Sequence, residues 1–193
     1  MLEIRFHGRG GQGTVVASEI LATAAFTEGK FPAAFPSFGS ERRGAPVVAF
    51  VRIDERQIEE RTEVYHPDGL VVLDQNLILL KLAPVTAGLE PGGWLLVNST
   101  QSPDKWKKLL PGYRVATVDA SGIALRNGLG SSTAPIVNTA ILGALARLPG
   151  MVGIEATLEA IEKSVPVKAE ANADAARQAY EEMHPWTEGG EQR

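Results

Sequence analysis

Three short apolar runs, each closed by an aspartate or asparagine, constrain the fold of this chain most. They are GLVVLD at 69–74, GWLLVN at 93–98 and YRVATVD at 113–119, ending on Asp74, Asn98 and Asp119. Continuous apolar runs of this length suit strands buried on both faces, as in a parallel sheet. Helical candidates lie between and after them: Asn76 to Leu89, closed by Pro91 and Gly92; Pro103 to Leu110; then 121–127 and 135–148, with Pro135 expected in a first helical turn. Two more helices are expected at about 153–164 and 170–183. Strands alternating with helices predict an α/β fold: a three-layer sandwich with a mostly parallel, Rossmann-like sheet, plus C-terminal helices. Residues 1–165 are expected to form that domain and 166–193 a helical extension. No internal repeat is present.

At the N-terminus an alternating stretch, Leu2 to Phe6, runs into a glycine cluster at 8–13, GRGGQG. A helix is expected from Thr14 to Glu28, with Glu19, Thr23 and Thr27 on its polar side and Val16, Ile20, Leu21, Ala24 and Ala25 on its buried side. Gly29 is a natural stop. Residues 30–46 carry three prolines and read as an ordered loop, because three phenylalanines also sit there. Val47 to Ile53 reads as a strand.

The glycine cluster follows a strand and opens a helix, so its backbone N–H groups stand at the positive end of a helix dipole. Gly8, Gly10, Gly11 and Gly13 permit a tight turn, and Arg9 and Gln12 add side-chain donors. The spacing matches G-x-G-x-x-G. The acidic residue that a dinucleotide site needs about twenty residues on is missing, because Glu28 falls at the helix end. A ligand-free turn and an anion site therefore both stay open, and NAD(P) is disfavoured. A second cluster, Ser37 with Glu41, Arg42, Arg43 and Gly44, can grip an anion bidentately or form a structural network or subunit contact. Asp74, Asn98 and Asp119 stand where strand ends border a ligand crevice, yet each suits helix capping. Asn138 and His7 read as structural, His66 lies in a turn, and His184 falls near the last helix end. Trp94, Trp106 and Trp186 read as packing or interface residues.

Composition narrows the functional classes. The chain has no cysteine, which excludes disulfides, thiolate nucleophiles and cysteine-held zinc or iron–sulfur clusters on these 193 residues. The three histidines show no metal-ligand spacing. Net charge is −4, and residues 153–193 alone carry four basic and nine acidic residues. No concentrated basic face suggests nucleic acid. No apolar run is long enough to span a bilayer, and the first residues lack the pattern of a signal peptide, so a cytoplasmic location is expected.

Two blocks, GRGGQG at 8–13 and FPSFGSERRGAPV at 35–47, closely resemble, in sequence and spacing, the gamma subunits of pyruvate (2-oxoacid):ferredoxin oxidoreductases. PDGLVVLD at 67–74 and GSSTAPIVNTAILGALARL at 130–148 extend the resemblance to about residue 165. It implies one subunit of an enzyme that oxidatively decarboxylates a 2-oxoacid with coenzyme A and passes electrons to ferredoxin or flavodoxin. It further implies alpha, beta and delta-type partners that hold thiamine diphosphate and the iron–sulfur clusters, an isolated chain without activity, and a part here in holding coenzyme A or covering the active site. Arg9 and the run from Glu41 to Pro46 look like the pyruvate and 2-oxoisovalerate branch. The rival readings are a stand-alone Rossmann-type nucleotide-binding oxidoreductase and a ligand-free structural adaptor.

Overall fold

In the computed structural model, which describes residues 1–37 and 44–186, β1 (Leu2–Arg9) is the central strand. Its side chains split by parity: Ile4 and Phe6 are fully buried in the larger core, while Arg5 and His7 face the other side of the sheet. α1 (Thr14–Thr27) follows, then the hairpin strands β2 (Phe31–Pro36) and β3 (Pro46–Asp54). The apolar runs form β4 (Gly69–Val72), β5 (Trp94–Asn98) and β6 (Arg114–Val118). The described residues form one six-stranded sheet, ordered β2-β3-β1-β4-β5-β6. β1, β4, β5 and β6 pair in parallel, while β3 pairs antiparallel with both β1 and β2.

The strands β4 to β6 are buried on both faces, as expected. Val71, Leu96 and Ala116 enter one core, and Leu70, Leu95 and Val115 enter the other. The two covering layers differ greatly. On the first face lie α1, α4 (Ala120–Arg126), α5 (Asn138–Ala146), α6 (Ile154–Ser164) and α7 (Ala169–Glu182). On the second, among the described residues, lie only α2 (Asn76–Leu79), α3 (Pro103–Leu109) and irregular segments. α7 brings the buried residues Ala175, Ala176 and Ala179 into the larger core.

Four sequence expectations change. The stretch from Phe31 to Pro36 is a strand and not a loop: it lies at the sheet edge, where Pro32 and Pro36 need no ladder donor on the open side. The helix expected from Asn76 to Leu89 stops at Leu79, because Lys81 adopts a left-handed φ of 50° and Pro84 follows. Pro135 does not open α5; it pairs in a two-residue ribbon of β7 (Gly130–Ser131) with β8 (Ala134–Pro135), and the helix starts at Asn138. Val16 is 41% exposed instead of buried. The far edge strand, β6, is closed by backbone bonds between Thr117 and His184, in both directions, at 3.0 and 2.8 Å. Among the described residues no helix is long and apolar enough to cross a membrane.

Candidate functional site at the carboxyl edge of the sheet

β1 and β4 are parallel neighbours whose following helices leave to opposite faces, α1 to one and α2 to the other. That is a topological switch point, the place beyond the carboxyl ends of the strands where open α/β sheets bind ligands. The glycine cluster occupies it. Gly8 and Arg9 finish β1, Gly10 exchanges backbone bonds with Gly44 and Ala45, and the Gln12 N–H turns back to the Arg9 carbonyl at 3.0 Å. Gly11 (φ 98°) and Gly13 (φ 73°) take left-handed backbones that other residues rarely adopt. At Gly13 space is also lacking, since a Cβ would lie 2.6 Å from Asn138 Nδ2. Asn138 thus faces the loop, and α5 begins beside the start of α1.

The start of α1 is left open. Gly13 supplies no side-chain cap, and the first turn holds no acidic residue. Thr14, at the first helical position, is buried, and its Oγ1 has no partner among the described residues. That hydroxyl sits over Gly8, where a Cβ would come within 2.1 Å of it. Such an uncapped N-terminus attracts an anionic group.

The two side chains expected to add donors are used inside the protein. Arg9 Nε lies 2.8 Å from Asp74 Oδ2, an ion pair whose N–H is not aimed at the oxygen. Gln12 Oε1 accepts from the Arg9 N–H at 2.7 Å, and its Nε2 reaches Asp74 Oδ2 at 3.5 Å. Together they staple the loop to the end of β4. Asp74 also accepts from the Asn76 N–H just ahead of α2, and Asp119 caps α4 by accepting from the Gly122 N–H. Asn98 ties the Leu73 carbonyl to Ser121. The capping reading therefore holds for Asp119; Asp74 lies one residue ahead of the α2 N-cap Gln75 and pairs with Arg9, and Asn98 makes its bridge instead of capping the helix after its own strand.

Ser37 lies on the thin side of the sheet, with its Oγ donating to Glu63 Oε1 at 2.8 Å. Glu41, Arg42 and Arg43 lie outside the described residues. Below Ser37, Arg5 and His7 line the same small hollow. Arg5 donates to the carbonyls of Val64, Val85 and Ala87, and its Nε donates to His7 Nε2. That bond places the imidazole proton on Nδ1. Burial first, and the Arg5 charge second, push the His7 pKa down to about 3. Thr14, Glu63 and the Arg5–His7 pair escaped the sequence reading, because nothing in a lone Thr, Glu, Arg or His announces which distant backbone it will meet.

The G-x-G-x-x-G match lacks its usual context. In a dinucleotide half-fold, α1 leads to a parallel strand beside β1 that ends on an acid. Here α1 leads to β2, an edge strand two places from β1 that pairs antiparallel with β3 and not with β1. The molecule is thus an α/β protein with a glycine loop at a sheet switch point, and among the described residues that loop lacks the strand context of a nicotinamide-type nucleotide site. The chain belongs to the pyruvate ferredoxin/flavodoxin oxidoreductase family, whose model matches residues 3–182, and stands in it as a gamma-type subunit of a multi-subunit oxidoreductase. It is 52% identical over 185 residues to the pyruvate/ketoisovalerate oxidoreductases common subunit gamma of Thermococcus kodakarensis, covering 93% of this chain and 96% of that one. It is 49% identical over 187 residues to pyruvate synthase subunit PorC of Methanothermobacter thermautotrophicus, covering 95% and 96%. The crystal structure of pyruvate oxidoreductase subunit PORC from Thermotoga maritima superposes with a TM-score of 0.78 at 40% identity, covering 94% and 96%.

Proposed function

We propose that this gamma subunit presents its carboxyl-edge crevice to coenzyme A inside the assembled enzyme. The Arg9, Gly10 and Gln12 N–H groups are bonded within the protein, so the loop's offer to a phosphate rests on Gly11, Gly13 and the first turn of α1. Ser37, Glu41, Arg42 and Arg43 are the residues expected to add contacts to the same ligand. Arg9 and Gln12 hold the loop in shape by way of Asp74. The alpha, beta and delta-type partner subunits carry thiamine diphosphate and the iron–sulfur clusters, and ferredoxin or flavodoxin takes the electrons in the cytoplasm. The substrate is pyruvate or a close 2-oxoacid, and its side chain is read elsewhere; the Thermococcus relative's name describes a gamma subunit common to two such oxidoreductases.

The observation that carries this reading is the open start of α1, with no side-chain cap, no acid in its first turn and the Thr14 hydroxyl unpartnered among the described residues. The test is pyruvate- and coenzyme A-dependent viologen reduction by the enzyme purified through this subunit. Arg42→Ala with Arg43→Ala is expected to raise the KM for coenzyme A about tenfold, the scale of one or two lost charge-assisted hydrogen bonds, while the KM for pyruvate stays put. An unchanged KM for coenzyme A in an intact complex overturns it. The adaptor reading has one observation in its favour, the internal use of Arg9 and Gln12. It predicts loss of assembly with no effect on KM.

A further inference from the structure

The thin layer of the sheet is a half-finished surface. After α2 the chain exposes Leu79, Leu80 and Leu82, at 46%, 63% and 46%, and Leu109 stands 51% exposed at the end of α3. Leu82 also lines a mostly apolar hollow of about 450 Å³, with Ile78, Lys81, Pro84, Val85 and Leu110. A second hollow of about 180 Å³ shares Ala83 and Pro84 with the first and reaches Phe50, Val64 and the exposed Tyr65. Single exposed leucines are ordinary, but a contiguous apolar face with two adjoining hollows is the form of an interaction surface. Lys81 lines the first hollow, and Lys105, Lys107 and Lys108 stand on α3, which leads into the lining residue Leu110; among the described residues none of the four joins an ion pair, and Lys105 Nζ donates to Gln101 Oε1.

We infer that this face docks a partner subunit of the same oxidoreductase, one that presents an apolar ridge flanked by carboxylates opposite α3. The inference rests on the reading of the chain as one subunit of a larger enzyme. Charge decides against a second copy as occupant. A twofold pair would bring each lysine rim against itself, because an isologous interface joins identical patches. The acidic excess of this chain lies in residues 153–193, whose helices α6 and α7 cover the other sheet face, so a twofold pair does not bring those carboxylates to this rim. A carboxylate-rimmed partner satisfies the lysines and speeds encounter. The irregular backbone of this layer is also explained: Arg5 fixes the carbonyls of Val64, Val85 and Ala87 from beneath, so the hollows are held in shape without helices.

The test is purification of the tagged subunit from its native cells, reading the molar ratio of co-purifying subunits and the iron they carry. Leu80→Asp is compared with Phe26→Asp, a 70% exposed position on α1 on the opposite face. Leu80→Asp is expected to lower the co-purified ratio at least tenfold, Phe26→Asp to leave it unchanged, and Lys107→Glu with Lys108→Glu to weaken it and reduce its dependence on salt. Circular dichroism of the variants confirms an intact chain. Retention of partners by Leu80→Asp, or equal loss in both aspartate variants, overturns the docking assignment and leaves the subunit reading standing. A wild-type chain that brings no iron-bearing partner sinks both. A homodimer of the wild-type chain that Leu80→Asp splits overturns the choice of occupant.

Discussion

His7 illustrates how one residue can change meaning between sequence and structure. In the sequence it is a histidine beside a glycine loop. In the fold it is a buried neutral imidazole that accepts from Arg5, with its pKa driven to about 3. Its unfolded value is about 6.5, so between those two values the unfolded chain binds the extra proton. Stability is therefore full above pH 6.5 and falls as pH drops through the window. From pH 7.5 to 5.0 this group alone is expected to remove about 2 kcal/mol of unfolding free energy. His7→Gln keeps an acceptor for Arg5 and removes the titration, so urea denaturation at the two pH values should show a loss smaller by that amount. Equal losses in wild type and variant would show that His7 titrates normally in the fold.

At the scale of elements, local propensity and packing can point in opposite directions. Gly143 lies in the middle of α5, where a propensity argument alone expects Gly→Ala to gain about 1 kcal/mol. In the fold, a Cβ there would lie 1.9 Å from the Ala176 carbonyl oxygen, because α5 and α7 are in backbone contact. Backbone cannot rotate away as a side chain does, so the helices must separate. The expected outcome for Gly143→Ala is a net loss of about 2 kcal/mol or more, read by chemical denaturation. A gain in stability would refute the close crossing. The strand from Phe31 to Pro36 and the shortened α2 follow the same logic. Prolines that break a strand in general are tolerated on an edge, and an apolar run of helical length breaks where Lys81 must turn left-handed.

The molecule is lopsided: among the described residues, five helices back one face of the sheet, while two short ones and loops back the other. The thick side depends on α7, whose Ala173, Ala175, Ala176 and Ala179 are fully buried. Ending the chain at residue 165 would uncover their partners on α5 and α4, including Ile141, Leu142 and Ile123. Such a fragment is expected to lose the cooperative thermal transition of the full chain in circular dichroism. A sharp transition from residues 1–165 would show that the last helix is dispensable to the domain.

The sequence by itself determined the elements whose pattern is dense and local. The runs at 69–74, 93–98 and 113–119 marked strands buried on both sides, the alanine-rich stretches of α1 and α7 marked helices, and the glycine cluster with its follow-on block marked the family. Strand order, the antiparallel hairpin, the open start of α1, the Arg9–Asp74 staple and the exposed leucine face belong to the tertiary structure. The physical reason is range. Period and capping act over a few residues and are written in the chain. Pairing across 65 positions, as between Arg9 and Asp74, and the choice of which apolar surface stays uncovered, depend on where the backbone has already gone.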